Sequence, residues 1–134
     1  MITIDQLYQV FLRHPKISTD SRNIAHDGLF FALKGERFNG NLFAGQALES
    51  GSAFAIIDDV IISQDERYIH VENVLESLQN LASFHRSRLS IPVIAVTGTN
   101  GKTTTKELIN AVLSEKFETL ATQSNLNNHI GVPL

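Results

Sequence analysis

Apolar positions over the first 90 residues change period several times, and each change predicts an element. Ile4, Leu7, Tyr8, Phe11 and Leu12 recur at helical spacing behind Thr3, with Gln6 placed to complete a capping box. A short helix is predicted there, stopped before Pro15. Two short extended pieces follow at 16–20 and 29–33, divided by a turn-rich stretch that carries Asn23, Asp27 and Gly28. Residues 34–41 read as a polar loop. The run 42–50 has apolar residues at 42, 43, 47 and 48, and Gly51 is placed to close it, which predicts a helix leading into a strand at 53–57. A second unit pairs a strand at 68–71 with a helix from Val74 to about Leu89, opened by Asn73 as cap with Glu76 three residues on. Its buried stripe is expected at Leu75, Leu78, Leu81 and Ala82.

Ser90-Ile91-Pro92 interrupts that helix, because Pro92 pushes its predecessor out of helical geometry. A domain boundary is expected there, separating 1–90 from 91–134. Beyond it, Val93-Ile94-Ala95-Val96 is a continuous apolar run of the kind found in parallel strands covered on both faces. A glycine turn at 98–101 precedes a helix from near Lys102 to about Ser114. Residues 117–121 read as the next strand, and 123–134 as an Asn-rich loop. The fold class is α/β: a small α/β domain, then the first strand-loop-helix-strand unit of a parallel-sheet domain. One such unit cannot cover a parallel sheet on both faces, so its partners are expected from further chain. The sequence is therefore expected to be part of a longer protein.

Composition narrows the chemistry. The 134 residues include no Cys, which excludes a disulfide scaffold, a thiolate zinc site and a cysteine nucleophile, and leans toward a reducing compartment. No apolar run approaches the roughly 18 residues of a membrane span, and the amino terminus lacks the basic and apolar regions of a signal peptide. A soluble, unprocessed protein is expected. Eleven Lys and Arg against 14 Asp and Glu give a net charge of −3 with no basic block, which argues against a nucleic-acid face. Any phosphate must be gripped locally. The five histidines, 14, 26, 70, 85 and 129, show no metal-ligand spacing, and Asp58-Asp59 and Asp65-Glu66 read as solvated loop acids rather than catalytic pairs.

The strongest chemical signal is Thr97-Gly98-Thr99-Asn100-Gly101-Lys102-Thr103-Thr104-Thr105, between an apolar run and a helix. A helix amino terminus leaves backbone N–H groups without partners, and glycines let the preceding loop fold round an anion. Lys102 is placed to meet the β- and γ-phosphates of ATP, and the Thr103 hydroxyl to coordinate Mg²⁺. Gly98, Thr99, Asn100, Gly101 and Thr104 complete the cradle. The general phosphate-loop pattern is not fully met, since Val96 stands where its first glycine belongs. An unrelated phosphate-loop phosphotransferase stays open as an alternative.

This loop resembles the ATP-binding loop of the Mur ligases, which build the peptide of bacterial cell-wall precursors. Ser18-Thr19-Asp20-Ser21-Arg22, then Gly28-Leu29-Phe30-Phe31-Ala32-Leu33-Lys34-Gly35 and Phe38-Asn39-Gly40-Asn41, resemble the uridine-diphosphate-binding domain of the same family. The family commonly shows Asp-Gly-His where this chain has Asn39-Gly40-Asn41. Within the family, Thr105-Lys106-Glu107 and the ending from Asn125 to Leu134 are most similar to the branch that adds D-alanyl-D-alanine. The sister branch that adds lysine or diaminopimelate is the alternative.

The resemblance implies an ATP-dependent amide ligase of the cytoplasm, monomeric as a whole enzyme, with UDP-N-acetylmuramoyl-peptide and D-alanyl-D-alanine as substrates. A substrate carboxylate would be activated as an acyl phosphate and then attacked by the dipeptide amine. Lys102 and Thr103 would serve catalysis, and Thr103 the metal. Ser21, Arg22, Lys34, Gly35, Asn39 and Gly40 would contact the uridine diphosphate, and Asn125 and Asn128 would lie near the γ-phosphate and substrate carboxylate. A guanidinium such as that of Arg22 suits a diphosphate because it forks onto two oxygens. The residue-level alternative is that Asp20 and Arg22 form a surface pair, Ser21 caps a turn, and the loop asparagines form turns. By itself the chain is expected to bind rather than to catalyse.

Overall fold

The computed structural model describes residues 2–59, 65–122 and 128–134. The chain divides into two compact units, Met1–Arg88 and Leu89–Val132.

In the first unit the elements run α1 (Ile4–Arg13), β1 (Ile17–Ser18), β2 (Leu29–Phe31), β3 (Lys34–Gly35), β4 (Phe38–Asn39), a 3₁₀ turn (Gly40–Phe43), α2 (Ala44–Glu49), β5 (Phe54–Ile57), β6 (Tyr68–His70) and α3 (Val74–Arg88). Helix α1 starts on the predicted capping box: the Thr3 hydroxyl accepts the Gln6 amide and the Gln6 side chain accepts the Thr3 N–H at 2.9 Å. Its aromatic residues pack on α3. Tyr8 meets the edge of Phe84 with ring centres 5.0 Å apart and Phe11 meets His85 at 5.2 Å, while the Tyr8 hydroxyl and His85 Nδ1 lie 3.2 Å apart. Helix α3 opens on Asn73, whose Oδ1 accepts the Glu76 amide at 2.9 Å. Its buried residues are Val74, Leu78 and Leu81; Leu75 and Ala82 are only partly covered, so the stripe is rotated slightly from the expected one.

Strands β1, β2, β5 and β6 form one parallel sheet in that order, with Phe30 opposite Ala55 and Ala55 opposite Tyr68. The pleat sends Phe30, Ala32, Ala55 and Ile57 to one face, where Ala44, Ala47 and Leu48 of α2 cover them and Ile24 and Tyr68 pack alongside. The small residues of α2 let it lie close, and Phe30 fills the space they leave. Leu29, Phe31 and Ile56 alternate to the opposite face and are fully buried.

Residues 34–41 differ from the polar loop predicted. They form a two-stranded antiparallel hairpin, Lys34 opposite Asn39 and Gly35 opposite Phe38. The Gly40 amide then donates to the Leu33 carbonyl at 2.9 Å, and Asn39 Oδ1 accepts the Asn41 amide at 3.0 Å. These bonds draw residues 40–43 into a 3₁₀ turn, so α2 begins at Ala44 rather than at 42.

In the second unit, α4 (Lys102–Ser114) runs over the residues predicted for it. The strands expected at 93–96 and 117–121 do not form. A strand needs a second extended segment to take its hydrogen bonds, and among the described residues none lies beside either. Val93 and Ile94 are accordingly 57% and 60% exposed. The Lys106 ammonium donates to the Thr122 carbonyl and pairs with Glu107 at 2.7 Å, tying the segment after α4 back to the helix. Among the described residues, no helix is long and apolar enough to cross a membrane.

Candidate functional site

Because the four strands are parallel, their carboxyl ends face one edge of the sheet, where open α/β sheets bind ligands. The loops after β1, β2 and β5 leave from that edge, and they carry Ser21 and Arg22, the 34–41 hairpin, and Asp58.

The loop after β1 is pinned by Ser18, whose buried hydroxyl accepts the Ala25 amide at 2.8 Å. Ser21 lies in the turn, partly covered. The Asp20 carboxylate accepts the Arg22 backbone amide at 3.0 Å and takes the guanidinium side-on, Nε at 2.9 Å and a terminal nitrogen at 2.6 Å. The surface pair read as the alternative therefore exists, with Arg22 87% exposed. Those two Arg22 donors, side chain first and backbone second, hold the Asp20 carboxyl down at about 2. The depressed value means that the pair's small contribution to stability is complete above the ordinary 3.8 and fades as pH falls through 2. Carboxyl NMR titration should place the Asp20 midpoint near 2, and higher in Arg22→Ala, which removes the guanidinium but keeps the backbone donor of residue 22. A midpoint unmoved by that substitution would show that the guanidinium is not its cause.

The hairpin after β2 is held from beneath. Lys34 Nζ lies 2.7 Å from Asp58 Oδ1, with Lys34 half exposed and the Asp58 side chain 12% exposed. Asn41 is fully buried: its Nδ2 donates to Asn39 Oδ1 at 2.8 Å and to Asp58 Oδ1 at 2.9 Å, and its Oδ1 accepts the Asp58 amide at 3.1 Å. Asp58 Oδ2 accepts the Val74 amide at 3.3 Å. Burial is the largest influence on the Asp58 carboxyl and would raise its pKa. The combined hydrogen bonds from Lys34, Asn41 and the Val74 N–H outweigh it and hold the group below its ordinary value. The sequence reading of Asp58 as a solvated loop acid is thus corrected. Asn39 and Asn41, the two departures from the family pattern, bond each other. The Phe38 ring lies over Gly35 and is 56% exposed.

In the second unit the glycine turn leads directly into α4, as the sequence predicts. Gly98 at φ 147° and Gly101 at φ 76° turn the chain into α4 through conformations that residues with a Cβ rarely adopt. Gly101 is the helix cap, no side chain caps the first turn, and no acidic residue stands in it. The first turn thus brings no carboxylate of its own to the loop, and the helix dipole adds partial positive charge. Lys102 Nζ donates to the Gly98 carbonyl at 2.5 Å and so lies folded along the loop. Thr99, Asn100, Thr103 and Thr104 are exposed around it. The donor set fits a triphosphate and its metal: loop amides, one ammonium, and a hydroxyl in the first turn. Asn128 forms a turn, its Oδ1 accepting the Ile130 and Gly131 amides at 3.0 and 2.7 Å. Asn125 lies outside the described residues.

A parallel sheet with its polar loops at one edge, and a glycine loop opening a helix free of first-turn acids, are features shared with α/β proteins that bind phosphate. Residues 16–86 match the Mur ligase family, catalytic domain, and residues 96–134 match the Mur ligase middle domain. The chain belongs to the Mur ligase family. It is 44% identical over 88% of its length to the UDP-N-acetylmuramoyl-tripeptide–D-alanyl-D-alanine ligase of Bacillus subtilis, and 40% identical over 88% to the Escherichia coli ligase of the same name. It spans 26% of the length of either relative. Among solved structures it is similar to the D-alanyl-D-alanyl ligase of Acinetobacter baumannii, with TM-score 0.82, 36% identity, and coverage of 98% of this chain and 32% of that one. The MurF ligase of Thermotoga maritima, solved with ADP, gives TM-score 0.79 at 32% identity, covering 92% of this chain and 28% of that one.

Proposed function

We propose that the chain supplies the nucleotide-sugar-binding unit, residues 1–90, and the first phosphate loop, within 91–134, of a cytoplasmic, monomeric ligase. That enzyme joins D-alanyl-D-alanine to UDP-N-acetylmuramoyl-tripeptide in peptidoglycan precursor synthesis. The observation that carries the reading is the 44% identity to the Bacillus ligase of that activity across 88% of the chain.

Each loop has a role that its chemistry supports. Ser21 and Arg22 at the end of β1, with Lys34, Gly35, Asn39 and Gly40 on the neighbouring hairpin, hold the uridine diphosphate, and the exposed Phe38 ring offers a face to uracil. Gly98, Thr99, Asn100, Gly101 and Thr104 line the ATP phosphates. Lys102 offsets negative charge there, and the Thr103 hydroxyl serves as a ligand for Mg²⁺. ATP supplies the phosphoryl group that turns a carboxylate into an acyl phosphate, replacing a poor leaving group by a good one. Asn125 and Asn128 belong beside that phosphate and carboxylate. Because the chain spans 26% of its relatives, these residues bind without completing the cycle.

Calorimetric titration tests the reading. UDP-N-acetylmuramoyl-tripeptide should bind in the micromolar range, Mg-ATP far more weakly, and dipeptide-dependent phosphate release should be absent. Steady phosphate release by these 134 residues, or no binding of the sugar nucleotide, would overturn it.

A further inference from the structure

The carboxylate of Asp58 sits just past the end of β5, 12% exposed, with donors from three other segments converging on it. They are the Lys34 ammonium at 2.7 Å, Asn41 Nδ2 at 2.9 Å and the Val74 amide at 3.3 Å. The hairpin, the 3₁₀ turn and the start of α3 therefore meet at one side chain. Asn41 is fully buried, and a buried amide is tolerated only when both its ends are satisfied; Asp58 satisfies both, through its carboxylate and its own N–H.

We propose that Asp58 is a positioning residue for sugar-nucleotide binding: it fixes the Lys34 ammonium and the turn at 39–41 in their binding arrangement before the ligand arrives. The inference rests on the reading of the 34–40 loop as the uridine-diphosphate site. A free lysine side chain gives up rotamer entropy when it is immobilised. One already held at 2.7 Å has given up that freedom before the ligand arrives. Asp58 carries the same sign of charge as a diphosphate, so its help must pass through Lys34 and the turn rather than through contact.

A double-mutant cycle on the 134-residue chain, read by calorimetric titration with UDP, tests this. Asp58→Asn and Lys34→Met should each weaken UDP by about tenfold, and the double variant should be no weaker than the worse single one, because both remove one arrangement. Asp58→Glu keeps the charge but moves it by a methylene. It should also lose affinity while unfolding within a few degrees of wild type, and it serves if Asp58→Asn does not fold. In the ligand-free chain, the amide NMR signals of Asn39 and Asn41 should shift in both Asp58 variants. Wild-type affinity in folded Asp58→Asn or Asp58→Glu overturns the proposal, as does a double variant in which the two losses multiply. Failure of the wild-type chain itself to bind UDP is a separate result: it removes the site reading, and the proposal with it.

Discussion

Replacing Phe30 by Ala should destabilise the first unit by about 3–5 kcal/mol, the range measured for buried aromatic truncations. Phe30 is 1% exposed on β2, a central strand between β1 and β5. The face around it holds Ala32, Ala44, Ala47 and Ala55, each with a single side-chain carbon, beside the larger Leu48, Ile57, Ile24 and Tyr68. The alanines cannot reach into the space of a ring and the larger side chains close it only in part, so a cavity cost adds to the lost burial. Domains of this size are stable by roughly 5–15 kcal/mol, which makes the loss about a fifth of the total or more. Urea unfolding followed by far-ultraviolet circular dichroism should show the midpoint falling by more than about 1 M. An unchanged midpoint would mean that the ring is not the filler of this face.

Gly40→Ala should abolish detectable sugar-nucleotide binding while also lowering stability by about 1–3 kcal/mol, the usual cost of overpacking. The requirement is space, not a left-handed backbone, since Gly40 is absent from the residues with positive φ. A Cβ there would overlap the Leu33 carbonyl oxygen and lie 2.7 Å from the Ala32 carbonyl carbon and 2.8 Å from the Leu33 nitrogen. All three are backbone atoms next to the buried end of β2, so relief must come from the turn itself. Moving the turn breaks the Gly40-to-Leu33 hydrogen bond and displaces Asn41 from Asp58. Titration of Gly40→Ala with UDP-N-acetylmuramoyl-tripeptide, beside a thermal melt, separates the two effects. Wild-type affinity would remove the 34–40 loop from the binding site.

The parts of this fold that were legible in the sequence are those specified by neighbours within four residues. Helix α1 was announced by Thr3 and Gln6, α3 by Asn73 and Glu76, and α4 by the glycines and Lys102. The hairpin escaped because two strands of two residues each are too short to show alternation, and their register is set by Gly40 reaching back to Leu33. Residues 93–96 were predicted as a strand from apolarity alone, but apolarity states what a segment would bury and not whether a partner lies beside it. The candidate binding residues came from motif patterns and family resemblance, and the described residues include all of them but Asn125. Asp58 was missed because its significance lies in Asn41, 17 residues away, and in Val74, 16 residues away. An acidic residue after a strand looks the same in sequence whether it meets water or an ammonium.

Sheet order in the first unit repeats chain order, β1 to β2 to β5 to β6. During synthesis each strand can therefore join an edge already built, and none has to be threaded between two that are paired. Among the described contacts of the unit, the closure that spans most of the chain is α1 on α3, where Tyr8 meets His85, 77 residues later. Until that helix leaves the ribosome, the aromatic side of α1 has nothing to grip. Docking of α1 therefore requires α3, the element of this unit that follows it at the far end of the chain order.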